Sequence, residues 1–529
     1  MSITQKRIFA LLLVISAAVF ILFGLPNAVA SKNLAMVQIF QPDESAPLPY
    51  IFQMIAPAAS FNQAVRQFIF YNYYFYGFPF FAASAVVLLP LKWLGLLGDM
   101  PLVMLALRQC ISVLPMLAGL LLLVYMQDGF RTYRSPVLFL LVLSVPAVVQ
   151  NNLWYHPDGM IFLMVVLTLF LLKRDNLRFG WNFLLAAVLC GIATAAKLVG
   201  VYFFLAVGLT LLLGLLLKKA SWKKLILMAG AFILAMGLAY LFANPFLFSH
   251  WARTAYIAIE QKQGGLLEDG YGVIYAKGLV ESWPLVRVSF GEVPFILIAL
   301  AATIWGAWRG PQRLLYSLIL AWFLPLSVTV FFLTHFKFQY WMPAVLPVIS
   351  SLVLLLPEAM HKPGPAWLAR FARLALLLVV FVQFILFVYA DVQSFHTSLL
   401  REQHNSSIPF YSKILTELSP LPDKKLHVYY DYRMYVPGKP GWVTNTNFDL
   451  LEYGYIQKNH FDVLLLLNQR IRDYLNPNAV GINPALFARN QQFYRDASNG
   501  TVTGFHLVYR DNFALIYVSE PLYQQYYPK

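Results

Sequence analysis

Apolar runs of roughly 17 to 25 residues recur along the chain, the length that carries an α-helix across the hydrocarbon core of a bilayer. The first covers about residues 8–30 and comes after Lys6 and Arg7. It lacks a clean cleavage signature and many further runs succeed it, so it reads as a retained helix and not as a removed signal peptide. Basic clusters punctuate the remainder of the chain: Arg131/Arg134, Lys173/Arg174/Arg178, Lys218/Lys219/Lys223/Lys224, Arg309/Arg313 and Lys362/Arg370/Arg373. Between clusters lie paired runs at about 135–150 and 157–172, 181–199 and 200–217, and 314–333 and 340–357. Short loops rich in Lys and Arg stay on the cytoplasmic side. Each pair is therefore a hairpin whose turn faces the other way. Single runs at about 225–243 and 292–308 bracket a long external loop, and a last one at about 374–391 leads outward to the tail.

One stretch does not close. Residues 67–127 must cross an odd number of times, yet two good runs are visible, at about 76–96 and 101–126. Either the aromatic stretch from Phe68 to Phe81 adds a crossing or one run is only partly inserted. The total is roughly 11 to 13 spans at the length a bilayer requires.

This topology gathers polar chemistry on one face. The external side receives the loop holding Asp43 and Glu44, the turn His156-Pro157-Asp158, the 244–290 loop, the turn from His335 to Trp341 and the tail from about residue 392. The opposite face carries short basic loops. Composition agrees with a membrane protein: 60% of the 529 residues are hydrophobic, 12% are charged and the mean hydropathy is +0.64. The net charge of +15 invites a nucleic-acid reading, but much of that charge lies in loops between spans, where topology accounts for it. Cys110 and Cys190 both fall inside apolar runs, which argues against a disulfide or metal framework.

The tail changes character. The runs 426–430 and 462–467 read as buried strands, and 504–509 with 513–518 as a hairpin about Arg510-Asp511-Asn512. Helical stretches near 409–418 and 484–497 alternate with them. A small α/β domain of about 130 residues, enough for its own core, is predicted. The fold class is thus mainly α: a polytopic transmembrane helical bundle (residues 1–391, first external loop about 31–66) followed by an extracytoplasmic α/β domain (392–529).

Adjacent carboxylates beside a membrane boundary are costly, which makes Asp43 and Glu44 a site candidate; capping a short interfacial helix after Pro42 is the plain alternative. His156 and Asp158 stand at a helix start marked by Pro157. They cap that start, or they supply an orienting partner to a base. Lys197 ends an apolar run among small residues, where it snorkels to headgroups or pairs inside the bundle with a carboxylate or phosphate. Arg108 lies within a span and must find a partner or a water-filled cavity. His250 and Arg253 come after Asn244-Pro245-Phe246 at the interface, and His335, Lys337, Gln339 and Tyr340 mix cations with aromatic rings. An aromatic belt explains the rings but not the cations. Carboxylates for base work and cations for an anion, all at the lipid edge, suit an anionic lipid substrate.

The order and shared side of these motifs resemble the GT-C membrane glycosyltransferases that use polyprenyl-phosphate sugars. The likeness is to the protein O-mannosyltransferase and lipid A aminoarabinose transferase branch. Asp43-Glu44 matches that branch's first acidic motif, His156-Pro157-Asp158 its second acidic turn, and Ala196-Lys197-Leu198 its lysine-containing helix end. Asn244-Pro245-Phe246 and Gln339-Tyr340-Trp341 are similar to two later boundary motifs. Two positions depart from the family: Gln339 stands where relatives often carry Arg, and the acidic loop lacks a neighbouring Tyr-Pro-Pro signal, with Tyr76-Gly77-Phe78-Pro79 near where one is expected. The resemblance implies an inverting transfer of a sugar from a polyprenyl-phosphate donor to a hydroxyl of a lipid, glycan or protein acceptor. It places the chain in a bacterial inner membrane, with the site on the periplasmic side. Asp43 is then the base with Glu44 assisting, Lys197, Arg253 and Lys337 bind the donor phosphate, and His156 and Asp158 orient the acceptor or brace the loop. Arg108, His250, His335, Gln339 and Tyr340 are secondary candidates. No cofactor is called for; Asp43, Glu44 and Asp158 suit a hard divalent cation, but the spacing does not require one. A lipid or polysaccharide transporter, or a membrane assembly protein that binds a partner through its tail, are the rival readings.

Overall fold

The computed structural model describes residues 2–269, 278–356, 367–422, 424–447, 451–476 and 484–527. Lys362 and part of the 244–290 loop fall outside them. Among the described residues seven helices are long and apolar enough to cross a bilayer, or nine if each of two bent pairs counts as one span. The chain is an integral multi-pass membrane protein. The bent pairs are Arg134–Leu143 with Pro146–Asn152, at 67°, and Leu279–Phe290 with Val293–Arg309, at 82°. Each second helix has Pro in its first turn; in the first pair Val145, the residue before Pro146, is extended, as the residue before proline prefers. The fold divides into two compact units. One comprises Met1–Ala28, Pro47–Ile259 and Lys277–Leu399; the other comprises Val29–Ala46, Glu260–Ala276 and Leu400–Lys529.

Within the first unit one long helix takes up most of the stretch whose crossings the sequence left open. Helix Met100–Asp128, interrupted by a π-helical turn at Arg108–Val113, runs antiparallel to the first helix, Ile3–Ala28. Gln109 Nε2 donates to Phe20 O, and Gln5 Nε2 donates to Gly129 O, both at 2.9 Å. The start of Met100–Asp128 therefore lies at the Asn27 end of the bundle and its finish at the Gln5 end. Phe78–Trp93 begins beside Ala196, since Gly77 N donates to Ala196 O at 3.2 Å. Only Leu94–Asp99 separates it from Met100. At 16 residues it is shorter than the helices long enough to cross a bilayer. The stretch 70–77 before it forms no helix.

Helices Asp158–Asp175 and Trp181–Ala196 form a tight antiparallel hairpin. Asn176 closes the first in the left-handed region, and the Asp175 carboxylate accepts Phe179 N at 2.7 Å and Gly180 N at 2.9 Å. This geometry returns Lys197 to the level of Asp158.

In the second unit, β1 (Leu426–Tyr430), β2 (Trp442–Asn445), β3 (Val463–Leu467), β4 (Phe505–Arg510) and β5 (Ala514–Ser519) form one sheet. The order is β2-β1-β3-β5-β4. β1 is parallel to β2 and β3, and β5 is antiparallel to β3 and β4. The central strands alternate between two cores. Val428, Val463, Leu465 and Ile516 face one; Tyr429, Leu464, Leu466 and Tyr517 face the other. That is the period-two pattern of a sheet covered on both faces. The β4–β5 hairpin turns at Asp511, whose Oδ1 accepts Phe513 N at 2.7 Å and Ala514 N at 2.8 Å.

Candidate functional site

Asp158 is the first residue of its helix and Lys197 caps the C-terminus of the next. A carboxylate at a helix N-terminus and an ammonium at a C-terminus both complement the helix dipoles, so the hairpin brings together two ends of opposite preference. Lys197 Nζ lies 2.6 Å from Asp158 Oδ1. The other carboxylate oxygen, Oδ2, is in close contact with His156 Nδ1. Asp158 is 1% exposed, and a carboxylate so buried persists only when paired.

His156 is positioned from three sides. Its backbone N donates to Ser112 Oγ at 3.2 Å and its carbonyl accepts from the same hydroxyl at 3.3 Å. Ser112 belongs to the π-helical turn, and the close approach needs Gly159, where a Cβ would stand 2.5 Å from Ser112 O. The Trp154 ring stacks on the imidazole with centroids 4.3 Å apart and planes within 5°. His156 Nε2 meets Tyr76 Oη at 3.0 Å. With Nδ1–H turned to the carboxylate, Nε2 accepts from the phenol, and Tyr76, His156 and Asp158 form one directed chain.

The cations converge on one ring. Lys197 Nζ sits 4.5 Å and Lys337 Nζ 5.7 Å from the Tyr340 centroid. Lys337 caps the helix that starts at Phe338, one turn from Tyr340. The Lys197 side chain keeps 24% of its surface exposed, so its ammonium is reachable while it pairs with Asp158.

The structure thus joins His156, Asp158, Lys197, Lys337 and Tyr340. Of the two readings open for Lys197, it selects pairing inside the bundle. His335 is buried with its ring 5.7 Å from that of Tyr340, and Gln339 is buried beside it. Arg108 is fully buried and donates to Asn27 O at 2.7 Å. Arg253 turns elsewhere: it is exposed, and its guanidinium donates to Leu247 O at 3.1 Å. His250 is exposed at the start of its helix. Asp43 and Glu44 belong to the second unit, in the first turn of the short helix Pro42–Ser45. Asp43 is exposed and Glu44 is fully buried. Among the described residues no group of three or more His, Cys, Asp or Glu is placed to hold a metal ion.

Sequence reasoning missed Tyr76 as a site residue, because it lies in the run Tyr73-Tyr74-Phe75-Tyr76 where any ring serves as core. The signal was the glycine after it. A Cβ on Gly77 would stand 1.6 Å from Ala195 O, so only glycine lets this segment lie against the end of Trp181–Ala196. Asn244 completes the joint, its Oδ1 accepting Phe78 N at 3.1 Å and its Nδ2 donating to Ala195 O at 3.4 Å.

No family model matches the chain, and no curated protein matches it by sequence. Solved structures do. The crystal structure of ArnT from Cupriavidus metallidurans bound to undecaprenyl phosphate is 13% identical, with a TM-score of 0.50 over 96% of this chain and 97% of that one. The same protein in the apo state is 12% identical, with a TM-score of 0.51 over 98% and 99%. At these identities the likeness shows the fold alone: the chain shares the architecture of that protein.

Proposed function

We propose that the protein is an inverting glycosyltransferase that moves a sugar from a polyprenyl-phosphate donor to an acceptor hydroxyl at the external face of the membrane. One observation carries the reading. Lys197 and Lys337 converge on Tyr340 beside the buried Asp158–His156 pair, in a chain with the fold of a protein crystallised with undecaprenyl phosphate. Ammonium groups held by a carboxylate and an aromatic face form a pre-organised anion site, and hydrogen bonds from cations to phosphate are the strong kind.

In the proposed reaction the acceptor oxygen attacks the anomeric carbon from the side opposite the phosphate. The bond from that carbon to the phosphate oxygen breaks, and its electron pair leaves on the polyprenyl phosphate. Lys197 and Lys337 stabilise the charge that develops there; Arg253 remains a proposed third cation. Asp43 takes the acceptor proton, the work of a general base. Glu44, the buried neighbour, shapes the turn that presents it. His156 and Asp158 fix the Lys197 ammonium, a bracing role.

Binding of undecaprenyl phosphate to the protein in nanodiscs tests the reading. Lys197→Ala and Lys337→Ala are each expected to weaken it by about tenfold, on the scale of a charged hydrogen bond, and added salt should narrow the difference. Equal affinity of both variants and wild type would overturn the phosphate assignment.

A further inference from the structure

The acidic turn is built into the C-terminal unit. Segment Val29–Ala46 belongs to that unit, and polar contacts strap it there along its length. Arg401 Nη2 donates to Val29 O at 2.6 Å, and Lys32 pairs with Glu402. Asn33 Oδ1 caps helix Leu34–Phe40 by accepting Met36 N at 2.9 Å, while its Nδ2 donates to Tyr435 Oη, also at 2.9 Å. Tyr430 Oη donates to Gln38 Oε1 at 3.3 Å.

The strap ends at Phe40. Arg401 lies over the Phe40 ring at 5.5 Å. Arg433 Nη1 donates to Ile39 O at 3.2 Å and reaches Phe40 O at 3.5 Å. These carbonyls belong to the last turn of Leu34–Phe40, where backbone acceptors have no helical partner and a cation complements the dipole. Gln41 then turns the chain, and Pro42–Ser45 comes at once, closed by Ser45 Oγ donating to Pro42 O at 2.9 Å. Arg433 itself lies just past β1, after Asp431, whose Oδ2 accepts Leu467 N at 2.7 Å and ties that corner to the end of β3. A rigid sheet corner is thus connected through one guanidinium to the residue two positions before Pro42.

We infer that Arg433, seconded by Arg401, is a positioning residue for Asp43: the C-terminal unit serves the reaction by setting the orientation of the acidic turn. The inference rests on the reading of Asp43 as the base.

The test uses the full chain in proteoliposomes. Hydrogen exchange and turnover of undecaprenyl-phosphate mannose and aminoarabinose are compared for wild type, Arg433→Ala, Arg433→Lys and Asp43→Asn. Arg433→Ala is expected to speed exchange at residues 38–46 while β1 and β3 stay protected. It should lower kcat by up to about a hundredfold, as a misplaced catalytic group does, with the KM for donor little changed. Arg433→Lys should recover part of both, and Arg433→Ala added to Asp43→Asn should cost nothing further. Asp43→Asn inactive with Arg433→Ala at the wild-type kcat overturns the positioning role alone. Faster exchange spreading through β3 in Arg433→Ala also overturns it, in favour of plain structural support. Asp43→Asn at the wild-type rate, or wild type that turns over neither donor, overturns the reading of Asp43 and the inference with it.

Discussion

Lys197 Nζ and Asp158 Oδ1, 39 positions apart in sequence, meet at 2.6 Å where the two helices of a hairpin present opposite dipole ends. The pair is coupled, because the carboxylate is buried and shares its second oxygen with His156. Lys197→Met alone leaves an uncompensated buried charge and is expected to destabilise the protein by about 3–5 kcal/mol. Asp158→Asn in that background should recover most of the loss. Denaturant unfolding of both single variants and the double variant in detergent checks this; additive losses would mean that the pair is not coupled.

Tyr76→Phe removes the partner of His156 Nε2 while keeping the ring that packs on Phe80. An unsatisfied, buried imidazole nitrogen should cost about 1–3 kcal/mol. A thermal-shift series reads it. His156→Phe should abolish the effect of the tyrosine change, since the hydroxyl then has no imidazole to serve.

Gly77→Ala places a methyl on Ala195 O, which must push the 70–78 segment off the helix end that carries Lys197. The expected result is loss of undecaprenyl phosphate binding with most of the bundle intact. Gly230, in helix Trp222–Ala243, has nothing within 4 Å of an added Cβ, and Gly230→Ala should stabilise by about 1 kcal/mol. Nanodisc binding and unfolding of the two variants separate the local joint from general glycine effects.

The membrane architecture was readable because each hairpin is bracketed by basic loops, and the sheet because 426–430 and 462–467 are apolar on both faces. What stayed hidden has physical reasons. Phe78–Trp93 is as apolar as a span, so hydropathy cannot show that its helix is only 16 residues long. Strand Trp442–Asn445 is a four-residue edge with mixed polarity, too short to register. Lys197 was visible as an oddity, but whether it snorkelled or paired depends on a contact 39 residues away. The grouping of 29–46 with the tail was equally invisible, since Arg433 and Arg401 look like ordinary surface arginines until the fold brings them to Phe40.

The most direct measurement is release of free undecaprenyl phosphate from sugar-loaded donor in proteoliposomes, with a broad acceptor panel, for wild type and Asp43→Asn. The account predicts acceptor-dependent release by wild type and a fall of at least about a hundredfold in a folded Asp43→Asn variant, the scale of lost general-base catalysis. Release by Asp43→Asn at the wild-type rate would contradict the base assignment. No release by wild type, with lipid crossing between leaflets of the same vesicles instead, would contradict the transferase reading and mark the protein as a transporter.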